Sequence, residues 1–150
     1  MRAAVLAAVA GSVLMAPVLA AEAQPLAVQI MTVRATADGT CDPQLEPLRP
    51  RLRRLAGYRG YQLLGKEQRR IPWRNTEAFD VGDGRSLLLL PKGMHDERIM
   101  MQVRLLDGRR RLVDTNVRLA NGGTMVFGVG RDARGAEGAV LILLRAQNDD

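Results

Sequence analysis

Side chains that do covalent or acid–base chemistry are scarce in this chain. Its 150 residues hold one cysteine, Cys41, one histidine, His95, and only two serines, Ser12 and Ser86. A lone cysteine excludes an internal disulfide, so Cys41 is buried, free or joined to another chain, and core packing must supply the stability. A Ser-His-Asp triad would have to use Ser86 and His95. Gly84-Arg85-Ser86-Leu87 lacks the glycine that follows the serine of a nucleophile elbow. His95 sits in Met94-His95-Asp96-Glu97, between a Pro-Gly turn and a strand, and has no second histidine to share a metal. A thiol dyad of Cys41 and His95 lacks a glycine-rich, oxyanion-stabilising context.

Aromatic residues are also few: Tyr58, Tyr61, Trp73, Phe79 and Phe127. That disfavours a sugar-cleaving cleft built on aromatic platforms. The acids Asp80, Asp83, Asp107 and Asp132 fall at turns, where backbone reasons suffice for them. Asp114 is mid-strand, but alternation places it on the outer face. Asp80-x-x-Asp83 is too short for an EF-hand loop. No P-loop is present, and no helix follows Gly128-Val129-Gly130 to make a dinucleotide fingerprint. These absences assign no catalytic residue, no metal ligand and no cofactor.

The N-terminus has the pattern of a secretory signal. Arg2 is a short positive region, Ala3–Ala21 is free of charge, and Pro17 precedes small residues. Val18-Leu19-Ala20 and Ala21-Glu22-Ala23 both fit a cleavage site. The second has alanine at both pocket positions and makes Gln24 the mature N-terminus. About 20 strongly apolar residues are needed to span a bilayer, and this run is shorter, interrupted and weakly apolar. Lipidation would need a cysteine at the cleavage site, and Cys41 comes too late. The expected organisation is a signal peptide over 1–23 and a single β-rich domain over 24–150. The protein is expected in the periplasm or outside the cell, with no membrane-spanning segment after cleavage.

Positive charge is abundant. The formal net charge is +6, and arginine supplies 20 of the 22 basic residues. A GC-rich genome accounts for much of that bias. The clusters are Arg49/Arg51/Arg53/Arg54, Lys66/Arg69/Arg70/Arg74 and Arg109–Arg111. Export points such charge toward an anionic envelope ligand and away from nucleic acid. Basic residues on strands also guard sheet edges against aggregation.

The pattern along the chain is mostly period two. Leu26–Ala35 reads as a first strand. Asp42 caps a helix, with Pro43 at its first position. Leu45, Leu48, Leu52 and Leu55 form its apolar stripe, firm from Pro50 and ended by Gly57. The four arginines of Arg49–Arg54 lie off that stripe, giving one apolar and one basic face. Strands follow at Arg59–Leu64, Thr76–Val81 and Ser86–Leu90, the last closed by a turn at Pro91-Lys92-Gly93. Ile99–Leu106 turns at Asp107-Gly108 into a strand that puts Val113, Thr115, Val117 and Leu119 on one face. Met125, Phe127 and Val129 alternate after Asn121-Gly122-Gly123. Val140–Leu144 is apolar on both faces and therefore central, and Asn148-Asp149-Asp150 reads as a frayed tail. About seven or eight strands with one helix predict an antiparallel β-sandwich or barrel.

Thr115–Gly128 resembles a hairpin of outer-membrane secretins, in which a Val-rich strand enters a Gly-Thr turn and an apolar strand ends in glycine. The segment from Asp42-Pro43 through Tyr58-x-x-Tyr61-x-Leu63-Leu64 resembles uncharacterised small exported β-rich proteins of GC-rich bacteria. Neither resemblance implies an activity. The expected function is that of an exported, non-enzymatic envelope protein acting through protein contacts, accessory to a secretion or surface assembly. The alternative is a binding module for an anionic envelope ligand through Arg49, Arg51, Arg53 and Arg54. Met100, Met101 and Val140–Leu144 mark sheet faces that the helix or a partner must cover, and the leucine stripe favours the helix.

Overall fold

The computed structural model describes residues 24–131 and 138–149. The predicted signal segment and most of the polar loop before the last strand, Asp132 included, lie outside the described residues. Eight strands form two open four-stranded antiparallel sheets, a β-sandwich and not a closed barrel. The strands are β1 (Leu26–Thr36), β2 (Gly60–Ile71), β3 (Glu77–Gly82), β4 (Arg85–His95), β5 (Arg98–Asp107), β6 (Arg110–Ala120), β7 (Thr124–Arg131) and β8 (Gly138–Gln147). Sheet A has the order β2-β1-β8-β7, and sheet B is the meander β3-β4-β5-β6.

Alternation builds the core between the sheets. Leu26, Val28 and Ile30 of β1 and Ile142, Leu144 and Ala146 of β8 face Leu87, Leu89, Met101, Val103 and Leu105 of sheet B. The other faces of β1 and β8 are apolar too, with Val33, Ala35, Leu141 and Leu143 buried beneath the helix. This explains the two-sided apolar composition of β8, which is central in its sheet as expected. The helical layer lies within the connection from β1 to β2. Asp42 accepts a hydrogen bond from the Gln44 backbone N–H at 3.0 Å and starts a 3-10 segment, Pro43–Leu48. Helix α1 (Arg49–Ala56) continues from it and stops at Gly57, whose φ of 76° is left-handed. Pro43 opens the 3-10 segment and Pro47 lies inside it, while Pro50 sits in the first turn of α1, where the missing N–H has no intrahelical partner to lose.

Three expectations need correction. Pro91-Lys92-Gly93 is not a turn, because β4 runs through a bulge there and pairs Pro91 with Met101. Pairing with β3 stops at Leu89, so this part of β4 is an edge on that side, where proline is tolerated. The turn falls instead at Asp96 and Glu97, both at positive φ. Asn121-Gly122-Gly123 is not a hairpin turn, because β6 and β7 belong to different sheets. The tail is not frayed as far as Asp149. Asn148 and Asn121 exchange two hydrogen bonds of 2.7 and 3.0 Å, and Asp149 pairs with Arg70 at 3.1 Å.

Candidate functional site

The sandwich separates the residues that could do chemistry. Residues Thr40–Asp42 lie beside the start of β2, with the Asp42 N–H donating to the Tyr61 carbonyl at 2.8 Å. Cys41 therefore packs half-buried with the helical layer. Burial raises its thiol pKa, and the Glu46 carboxylate adds to the rise, so the neutral thiol is favoured. His95 is at the tip of the β4–β5 hairpin, exposed and 3.3 Å from Asp96. Arg74 donates to the Pro91 carbonyl from the connection that follows β2, so His95 and Cys41 lie near opposite ends of the sandwich. The ten residues of β2 between those ends span about 30 Å. Ser86 lies nine residues before His95 on the same strand, also about 30 Å away. Asp114 is on the outer face of sheet B, bonded to Gln102 at 3.1 Å and Arg111 at 3.2 Å. Among the described residues, no three of His, Cys, Asp and Glu cluster as a metal site.

The four helix arginines divide into two pairs. Arg49 donates to the carbonyls of Gly39 at 3.2 Å and Arg59 at 3.4 Å, and lies 3.5 Å from Glu46. Arg51 donates to the Thr124 carbonyl at 2.6 Å. Arg51 straps the helical layer to β7, and Arg49 ties it to the loops that precede and follow it. Arg53 and Arg54 are exposed and form no ion pair among the described residues. Of the second cluster, Arg69 is also structural. It pairs with Glu67 at 2.9 Å, donates to the Ala78 carbonyl, and stacks 3.9 Å above Phe79.

Two surfaces remain. Half of the outer face of sheet A escapes the helix, and its neighbouring rows are Arg70–Ala27–Gln147 and Gln68–Gln29–Arg145. They line a shallow basin of about 380 Å³. The outer face of sheet B carries Leu88 and Leu90 of β4 and Met100 and Leu106 of β5, all half-buried. The register makes Leu88 diagonal to Leu106 and Leu90 diagonal to Met100. Around them lie Lys92, Arg104, Arg111 and Arg118, with Asp114 held by Gln102 and Arg111. No described helix or strand lies over this face. The alternation of Ser86–Leu106 carries this signal in the sequence, but an apolar strand reads as core until its partner layers are known. Comparison of the chain with protein families, curated proteins and solved structures finds no match.

Proposed function

We propose that this chain is an exported, non-enzymatic envelope protein that binds another protein through the outer face of sheet B, as an accessory to a secretion or surface assembly. One contrast carries the reading. Leu45 and Leu52 cover the apolar outer face of sheet A, whereas Leu88, Leu90, Met100 and Leu106 in the middle of sheet B have no covering element among the described residues. Central strands with large apolar side chains on the outside are a feature of contact surfaces. Four strands about 4.8 Å apart, of 6, 11, 10 and 11 residues, present roughly 600 Å², close to the ~800 Å² that each partner buries in a standard interface. The basic frame of Lys92, Arg104 and Arg118 suits a partner whose apolar patch is rimmed by acids. Export rests on the charge-free Ala3–Ala21 run and its small-residue cleavage sites.

A photo-crosslinking residue at Met100 tests this in intact cells. The expected result is one discrete adduct with an envelope protein, absent when the probe sits at Leu64 on β2. The two purified proteins then bind each other, and Arg104→Glu with Arg118→Glu weakens binding in low salt. An adduct only with a second copy of this chain, or binding indifferent to both charge reversals, defeats the proposal.

A further inference from the structure

We infer that the open half of the outer face of sheet A is a second binding site, for an acidic polysaccharide held through its carboxylates. It is independent of the sheet B surface and lies on the opposite side of the sandwich. Ala27 gives the site its shape. It stands between Arg70 on β2 and Gln147 on β8, so a methyl group forms the floor between two long polar side chains. The next row adds the amides of Gln68 and Gln29 and the guanidinium of Arg145. All five polar side chains stand on paired strands, which fixes their spacing before any ligand arrives.

The donor set matches one chemistry. Guanidinium forks take carboxylates in paired hydrogen bonds. Primary amides both donate and accept, which suits sugar hydroxyls. The apolar residues that line the basin are Ala27 and Val28, and Val28 is buried in the core. Among the described residues, no large apolar side chain there can enter a lipid layer, so a polysaccharide is favoured over a membrane surface. Charge continues beyond the basin. Thr124 is the register partner of Arg145, and Arg51 of α1 is bonded to its carbonyl. A basic track therefore runs diagonally from Arg70 through Arg145 to Arg51. Arg145 forms no ion pair among the described residues.

The chain itself shows a carboxylate in place. Asp149 reaches back to Arg70 at 3.1 Å, and the Asn121–Asn148 exchange aims it there. Asp149 thus occupies part of the site and competes with a ligand. The pair is exposed, and such pairs are weak, so a polymer with many carboxylates displaces it.

The test titrates the purified protein with polygalacturonate, with neutral dextran as the control. The expected result is binding to polygalacturonate alone, falling steeply with salt. Arg70→Gln with Arg145→Gln weakens it at least about tenfold, while Arg53→Gln with Arg54→Gln stays within about twofold. Asp149→Asn tightens it by about two- to fivefold, the range that a surface ion pair of up to ~1 kcal/mol allows. All four proteins should melt at the same temperature. The inference is overturned by no binding, by unchanged affinity in the Arg70/Arg145 pair or in Asp149→Asn, by loss in the helix pair, or by preference for phosphatidylglycerol vesicles.

Discussion

Arg51 reaches from α1 to Thr124, the first residue of β7, and its guanidinium meets the backbone carbonyl at 2.6 Å. The contact joins residues 73 positions apart and ties the helical layer to an edge strand of sheet A. Arg49 ties the same layer to the loops on either side of it, through Gly39 and Arg59. A cluster that reads in sequence as one ligand-binding face is, in the fold, two straps and two exposed cations without an ion pair among the described residues. The sequence carries no sign of the division, because the acceptors are backbone carbonyls distant along the chain.

The straps predict an asymmetry among the four arginines. Arg49→Gln and Arg51→Gln should each lower stability by about 0.5–1.5 kcal/mol, the usual net value of a hydrogen bond. Arg53→Gln and Arg54→Gln should stay within about 0.5 kcal/mol of the parent. Urea unfolding followed by circular dichroism reads the difference. Equal losses at all four positions would show that helix charge, not strapping, sets the effect.

A second asymmetry lies in the leucine stripe. Leu45 and Leu52 are fully buried, whereas Leu55 is 61% exposed. Leu55 is rotated by about 60° from Leu52 around the helix. It lies one residue before the end of α1 and borders a shallow groove beside Val126 and Leu141. Leu52→Ala should cost about 2–5 kcal/mol, the range for an aliphatic side chain removed from a packed site. Leu55→Ala should cost less than about 0.5 kcal/mol. A loss at Leu55 approaching that at Leu52 would mean that the groove closes in solution.

The period-two alternation, the cap at Asp42 and the stop at Gly57 were legible because each is a local effect. The sandwich class followed from the number of strands. Sheet membership did not, since Asn121-Gly122 suits a hairpin and a sheet-switching corner alike. The path of β4 through Pro91 was hidden for a related reason, as proline is tolerated only because β3 has already ended there. The open basin was the least legible feature. Arg69 and Arg70 are adjacent in sequence, yet Arg69 stacks on Phe79 while Arg70 stands opposite Ala27 on the outer face. Only register against β1 separates them.

Gly60 predicts a sharp intolerance that no turn signal announces. Its φ is not left-handed, so backbone strain is not the reason. A β-carbon there would collide with the carbonyl and carboxylate oxygens of Asp38 and with the Thr36 hydroxyl. Those groups are already engaged, since Thr36 and Thr40 both donate to the Asp38 carboxylate, at 2.6 and 2.9 Å. Gly60→Ala should therefore destabilise by about 1–3 kcal/mol, as overpacking does. Gly65→Ala, with open space around it, should lie within about 0.5 kcal/mol of the parent. Thermal melts of the two variants make the comparison, and a Gly60→Ala protein as stable as the parent would disprove the close approach.

Cys41 is the residue by which a thiol enzyme would be recognised, and its environment predicts the opposite behaviour. A nucleophilic cysteine is held as thiolate by a cation or a helix N-terminus, which lowers its pKa. Burial acts on Cys41 in the other direction, and the Glu46 and Asp42 carboxylates add to it, while Arg49 opposes them only in part. Arg49 is occupied by carbonyls and by Glu46 itself, so it is not poised over the sulfur. At neutral pH the thiol should react with iodoacetamide more slowly than free cysteine does. The rate should climb only as pH rises past the ordinary thiol range of about 8.5. Glu46→Gln removes one source of the upward shift and should move that climb to lower pH, while Arg49→Gln should move it higher. Stability follows the same sign, because a raised pKa means that the folded state holds the proton more tightly than the unfolded state. Its contribution is complete below the unfolded thiol pKa and is lost as pH rises through the folded value. Rapid alkylation at neutral pH, abolished by His95→Ala, would instead require the histidine to reach the sulfur from the far end of the sandwich.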